Sequence, residues 1–200
     1  LIARQWPVDA VVGENGALYF WHDAQEKCLR QRFLQTDKER EAGRQKLQAL
    51  KARILREVPG SGIASDQPYR VADLAIDFCE DVPPLPREAV DRIVALFEEA
   101  GATAKVSSIH VNGWFGRYDK LGMTRVMMRE RHGIDLDAMR EHYVFVGDSP
   151  NDAPMFGFFP NAVGVANVRD FADRTVSLPR WVAKGRGGAS AEVGFHIEPS

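Results

Sequence analysis

An α/β architecture, with a parallel sheet toward the carboxyl end and a compact α+β module ahead of it, is what the sequence predicts. Three observations carry this. The run Tyr143–Val146 is apolar without alternation and ends at Gly147 in two carboxylates, Asp148 and Asp152; such a run reads as a strand covered on both faces. From Leu121 onward helical and strand patterns alternate, which favours a parallel layer. Between about residues 17 and 112 the order is hairpin, helix, strand, helix, strand.

Taken in order, Ala10–Val12 reads as a short strand, Gly13–Gly16 as a turn, and a second strand runs through Trp21. Cys28–Leu34 pairs with that second strand across the polar HDAQEK turn. Thr36 with Glu39 forms a capping box, and Leu47, Leu50, Ile54 and Val58 make one apolar stripe before Pro59 and Gly60 stop the helix. GSGIASDQPYR reads as a loop, and VADLAIDF alternates as a half-buried strand. After the DVPPLP linker, Val90, Ile93, Val94 and Phe97 mark a second amphipathic helix, Arg87–Ala100, which closes on Gly101. Thr103–Val111 reads as one strand, with Ser108, His110 and Asn112 at alternate positions of one face. Leu121–Arg131 and Pro154–Phe159 read as helices, and Ala162–Val165 and Thr175–Leu178 as short strands.

The charge balance, 26 Lys and Arg against 28 Asp and Glu, creates no global field for nucleic acid or an anionic membrane. Any anionic ligand must be held locally. Cys28 and Cys79 fit neither a disulfide framework nor a metal motif, so the cytoplasm is the expected compartment. The apolar tracts are short and interrupted, and the start LIARQWPVDA is no signal peptide. Those opening residues read like the end of one element entering a strand, as if the chain began partway through a larger protein.

The chemistry concentrates at Gly147-Asp148-Ser149-Pro150-Asn151-Asp152. Pro150 suits the first turn of a helix, so Asp148 lies at the strand's carboxyl edge and Asp152 in the first helical turn, both toward one crevice. A hard cation such as Mg2+ takes oxygen ligands and is held by one or two carboxylates plus a substrate phosphate. Asp148 or Ser149 also suits a plain helix cap. The spacing alone admits both readings.

The surroundings add a resemblance. GDSPND resembles the fourth motif of the haloacid dehalogenase superfamily, and Asp119-Lys120 resembles its third. VVGENGALYF resembles the "NGA" turn of the branch with Cof-like and sucrose-phosphate phosphatases, as do AVGVANV at 162–168 and the closing KGRGGASAEV. The resemblance implies an incomplete Rossmannoid three-layer core with an inserted α+β cap. Residues 1–16 would be core, 17–112 cap and 113–200 core. It further implies Asp148 and Asp152 as Mg2+ ligands, Ser149 and Asn151 as their supports, and Lys120 as the residue that stabilises nucleophile and phosphoryl group. In that family an aspartate attacks phosphorus and water then hydrolyses the aspartyl phosphate.

Here the sequence departs from the family. No D-x-D precedes Gly13, and Asp135-Leu136-Asp137 sits at a helix junction. The nucleophile is therefore expected upstream of this chain, and these 200 residues alone are expected to be inactive. A non-catalytic protein that binds a phosphorylated ligand is the alternative. A receiver-like or flavodoxin-like domain explains an acidic strand end but neither the inserted module nor the GDSPND spacing.

For the substrate, Ser108, His110 and Asn112, with Arg30 or Arg32 and the turn residues Asn15 and Gly16, are the expected readers of a small phosphorylated metabolite such as a sugar phosphate. The same residues also fit ordinary solvated strand and turn positions. His22, His132, His142 and His196 lack ligand-like spacing, Trp21 and Trp114 read as packing residues, and Ser149 stands in no G-x-S-x-G elbow.

Overall fold

The computed structural model describes residues 2–174, 176–186 and 197–199. The chain divides into two compact units, Leu1–Met127 and Met128–Ser200. The first opens with a short helix, α1 (Ile2–Gln5), and three strands, β1 (Val11–Gly13), β2 (Leu18–Asp23) and β3 (Cys28–Phe33), in an antiparallel sheet of order β1-β2-β3. Val12 pairs with Tyr19, and Tyr19 with Arg32. The expected hairpin thus forms, but it joins β1 and not the strands of the following module. The reason is local: a three-residue turn, Glu14–Gly16, folds β1 straight back onto β2.

The capping box then starts α2 (Asp37–Glu57): Thr36 Oγ1 accepts from the Glu39 amide at 3.4 Å, and the Thr36 amide donates to Glu39 Oε2 at 2.8 Å. Next come β4 (Gly62–Ile63), β5 (Leu74–Asp77), α3 (Arg87–Glu99), β6 (Thr103–Val106) and β7 (His110–Trp114). These strands form a second antiparallel sheet, β4-β5-β7-β6. Leu47, Leu50 and Ile54 of α2 and Ile93, Leu96 and Phe97 of α3 bury against Leu74, Ile76 and Val111. Helices therefore cover one face of this sheet. Gly113 is needed beneath them, since a Cβ there would lie 2.1 Å from the Phe97 ring.

Three expectations for this region need correction. The Thr103–Val111 strand is two strands, because the Ser107 hydroxyl takes the Ile109 and His110 amides and turns the chain. Ser108 therefore sits in the bend and not on a strand face. β5 is buried on both faces, Ala75 and Asp77 as fully as Leu74 and Ile76. Finally, Gly62-Ile63, read as loop, is an edge strand whose two-residue length left no period to detect.

Helix α4 (Lys120–His132) begins in the first unit and ends in the second. The second unit continues with α5 (Leu136–Met139), β8 (Val144–Gly147), α6 (Ala153–Phe158), β9 (Asn161–Gly164), β10 (Trp181–Ala183) and β11 (Ile197–Pro199). Its sheet has the order β11-β10-β9-β8, with β8, β9 and β10 parallel and β11 antiparallel. Phe145 packs on Phe156, within α6, and on Phe159, just past its carboxyl end. Val144 and Val146, on the alternate face, are 67% and 52% exposed. The expectation of a strand covered on both faces fails here: among the described residues no element covers the Val144 and Val146 face of β8, which is also the edge strand of this sheet. The strand expected at Thr175–Leu178 is also displaced: 176–178 are bends and coil, residue 175 lies outside the described residues, and the strand is β10.

Candidate functional site

In the second unit, β8 ends at Gly147 and the chain turns sharply through Asp148 and Ser149 into a short turn of helix, Pro150–Asp152. Asp152 is buried. Its Oδ2 accepts from the Asp148 amide at 3.1 Å and from the Ser149 amide and hydroxyl at 3.3 Å. Gly147 permits this, because a Cβ there would stand 2.9 Å from that same oxygen and equally close to Phe145 and Phe156. Asp152 thus folds the loop, and Asp148 is left exposed at the end of the strand. Asn151 and Ser149 flank it, half-buried. Among the described residues no group of three or more His, Cys, Asp or Glu side chains could hold a metal. One exposed carboxylate backed by a second fits a cation of the Mg2+ kind, which retains waters and takes the rest of its ligands from a phosphate.

In the first unit, the turn Glu14-Asn15-Gly16 is left-handed throughout, with φ of 44°, 56° and 101°. Non-glycine residues adopt this conformation at a cost of roughly 1–3 kcal/mol each. The side chains offset it. Glu14 Oε2 accepts from the amides of Val71, Ala72 and Asp73 at 3.0, 2.6 and 3.1 Å. Asn15 Nδ2 donates to Asp73 Oδ2 at 3.0 Å. A Cβ on Gly16 would meet the Asp119 carbonyl at 2.0 Å and the Lys120 amide at 2.9 Å, so the turn also sits directly on the start of α4. There Asp119 caps the helix through the Gly122 amide at 2.6 Å, which places Lys120 in the first turn.

The segment 64–73, gripped by this turn, forms a strap beside β5. Gln67 closes it, accepting from the Ala75 amide and donating to the Asp73 carbonyl. Arg70 binds Asp66 through two nitrogens at 2.8 Å, Asp73 at 3.1 Å, and Asn112 Oδ1 at 3.4 Å. His110, Asn112 and Trp114 alternate along β7 and share the face away from Val111 and the helices. His110 meets Glu80 at 2.8 Å. Two buried groups here, Trp114 Nε1 and Tyr118 Oη, have no hydrogen-bond partner among the described residues, and their rings stack 5.7 Å apart.

Burial sets the electrostatics of this face. It pushes the Glu14 carboxyl up, against the pull of three backbone amides. It likewise raises Asp73, partly offset by Arg70 and Asn15. Tyr118 is raised by burial and then by the Asp73 and Glu14 charges. For Arg70, burial pulls down, while Asp66 and Asp73 outweigh it and keep the guanidinium raised. Asp77 goes the other way: burial opposes its charge, but the amides of Glu80, Asp81 and Cys79 win and hold it below 3.8.

The structure thus brings Asn15, Gly16, His110, Asn112 and Lys120 onto neighbouring elements of one unit. It places Asp148, Ser149, Asn151 and Asp152 in one loop of the other. The expectation of a solvated polar face is corrected: His110 and Asn112 are each only 7% exposed and hydrogen-bonded. Ser108 has left the strand. Arg30 and Arg32 stand on β3, in the other sheet, where Arg30 faces Asp23 and Arg32 donates to the Phe33 carbonyl. Sequence reasoning missed Glu14, Arg70 and Asp73. Glu14 carried a readable signal, an acidic side chain opening an N-G turn. Arg70 and Asp73 carried none within a stretch taken for loop and surface strand. Of KGRGGASAEV, everything past 186 lies outside the described residues, as does His196.

The sequence matches no family model and no curated protein. Solved structures do match. Sucrose-phosphatase from Synechocystis, determined with sucrose and phosphate, superposes at a TM-score of 0.62 over 92% of this chain and 71% of its own, at 16% identity. The chain has a haloacid dehalogenase-like fold. Thermoplasma acidophilum protein 0175 matches at 0.59 over 94% of this chain and 72% of its own, with 18% identity. A trehalose-6-phosphate phosphatase related protein matches at 0.52 over 82% and 65%, with 12% identity. The strand-end loop at Asp148 and the turn at Glu14 are two of the places where a carboxylate organises backbone. No helix among the described residues is long and apolar enough to cross a membrane.

The depressed Asp77 carboxyl gives a pH prediction. Its contribution is present above the unfolded value of 3.8 and is lost as pH falls through the lower folded value. Urea unfolding of wild type and Asp77→Asn should show a stability gap near pH 7 that shrinks as the pH is lowered below 3.8. A gap independent of pH would mean that Asp77 acts only through its shape.

Proposed function

We propose that this chain forms part of a Mg2+-dependent phosphatase that hydrolyses a sugar phosphate or similarly small phosphorylated metabolite through an aspartyl-phosphate intermediate. The observation that carries the reading is the loop after β8. There Asp152 turns inward to hold the backbone, and Asp148 stands exposed at the end of a parallel strand. The haloacid dehalogenase-like fold supports the reaction class.

Asp148 would hold Mg2+, with Asp152, Ser149 and Asn151 fixing the loop around it. Bound there, the cation would neutralise phosphate charge. Lys120, in the first turn of α4, is assigned to stabilising the anionic phosphoryl group. The attacking aspartate is assigned to sequence preceding Leu1, and the 200 residues by themselves are expected to turn over no ester.

The substrate class rests on the first unit. Arg70 meets Asn112 over the second sheet, and Trp114 Nε1 and Tyr118 Oη, buried with Ala17 and Leu18, have no protein partner among the described residues. Buried donors of this sort are satisfied by water or ligand, and a hydroxyl-rich leaving group suits them. The sucrose and phosphate of the Synechocystis structure are consistent in kind. The near-balanced charge argues against nucleic acid or membrane as partner, and the two free thiols fit a cytoplasmic setting.

Isothermal titration of Mg2+ into the protein carrying its upstream sequence should show affinity at least about tenfold weaker in Asp148→Asn, since charged oxygen ligands dominate binding of this cation. Equal affinities would remove Asp148 from the metal site. In the same protein, Asn112→Ala should raise the Michaelis constant for a hexose phosphate about tenfold while sparing an aryl phosphate. An unchanged preference would move substrate recognition away from this face.

A further inference from the structure

We infer that Glu14 is a positioning residue: its carboxylate anchors the 64–73 strap to the turn after β1 and thereby fixes Arg70 and Asp73 against Asn112. The inference deepens the phosphatase reading, because it takes Arg70 as a reader of the hydroxyl-bearing part of the substrate.

The geometry is specific. Three consecutive amides, Val71, Ala72 and Asp73, converge on Glu14 Oε2, and Val71 also donates to Oε1 at 2.9 Å. Three successive N–H donors curled around one anion are an arrangement that backbones use to bind phosphates and carboxylates. Here the anion belongs to the chain itself. Packing does only part of this work: Ala72 rests on the Ala17, Leu18, Trp114 and Tyr118 cluster, but a cleft of about 420 Å3 lies between the strap and α2, lined by Arg44, Leu47 and Lys51 on the helix and by Pro68 and Val71 on the strap. Tyr69 and Val71 are themselves exposed. The strap's position is thus decided mainly by hydrogen bonds, to β5 through Gln67 and to the turn through Glu14 and Asn15.

The strap's own polar groups depend on that anchor. Asp73 receives Asn15 and Arg70 together, so freeing the 71–73 amides would release Arg70 from Asn112. The titratable groups shown around Glu14 are Asp73 on the strap, itself paired with Arg70, and Tyr118 just before α4. Asp73 repels it, and the amides hold it.

The test uses this chain as it stands, comparing wild type, Glu14→Ala and Glu14→Gln by residue-resolved hydrogen exchange. In Glu14→Ala the amides of Val71, Ala72 and Asp73 should exchange at least about tenfold faster while those of β7 keep their rates. Glu14→Gln, which retains an acceptor oxygen, should restore most of the protection. Faster exchange throughout the unit in both variants, or no change at 71–73, would overturn the anchor.

Binding of glucose 6-phosphate and of inorganic phosphate to the same proteins supplies the second readout. Glu14→Ala should weaken the sugar phosphate about tenfold and leave inorganic phosphate unchanged; equal loss for both, or for neither, would overturn the positioning role. A wild type that binds neither anion counts against the phosphatase reading itself, and the exchange rates alone then decide whether Glu14 anchors the strap.

Discussion

A carboxylate that accepts several backbone amides at once is the interaction on which both units depend. Glu14 takes three consecutive amides of the strap, Asp77 takes those of Cys79, Glu80 and Asp81, and Asp152 takes Asp148 and Ser149. In each case a tight turn would otherwise leave N–H groups pointing at one another without partners. A buried anion satisfies them together, and charge-assisted bonds are about twice as strong as neutral ones. The same device sets the sharp turns that bring polar side chains to an edge of structure.

The consequences differ with burial. At Asp77 the amides outweigh desolvation, so the group stays ionised into acid. At Glu14 desolvation outweighs the amides, and the neighbouring Asp73 adds to it. The Glu14 turn is therefore less favourable than its hydrogen bonds suggest, and it also holds two non-glycine residues in left-handed backbone. Strain and buried charge kept together at one turn are more common at functional positions than in plain scaffolding. That agrees with the place of this turn, between the strap that carries Arg70 and the first residues of α4.

Much of this was legible in the sequence where a local rule decides structure. The capping box at Thr36, the stripe through Leu47, Leu50 and Ile54, and the break at Gly147 before Asp148 each have a short-range cause. What was not legible depended on tertiary context. Nothing local reveals that Ser107 would bend the chain and drop Ser108 from the strand, or that the 18–33 hairpin would pair with β1. The face expected to be solvated proved buried because the strap lies against Asn112 and Glu80 against His110, and the strap is held by Glu14, some 57 residues away along the chain. For the same reason Arg30 and Arg32 looked available while Arg70, inside an apparent loop, did not.

The central claim is that Asp148 and its loop form a cation site, and Mn2+ as a paramagnetic probe in the NMR spectrum of this chain tests it most directly. The account predicts that the amide signals of Gly147–Asp152 broaden first, while the exposed acidic groups at Asp37, Glu41 and Glu98 stay sharp. Broadening confined to those surface carboxylates, with the 147–152 signals untouched, would contradict it.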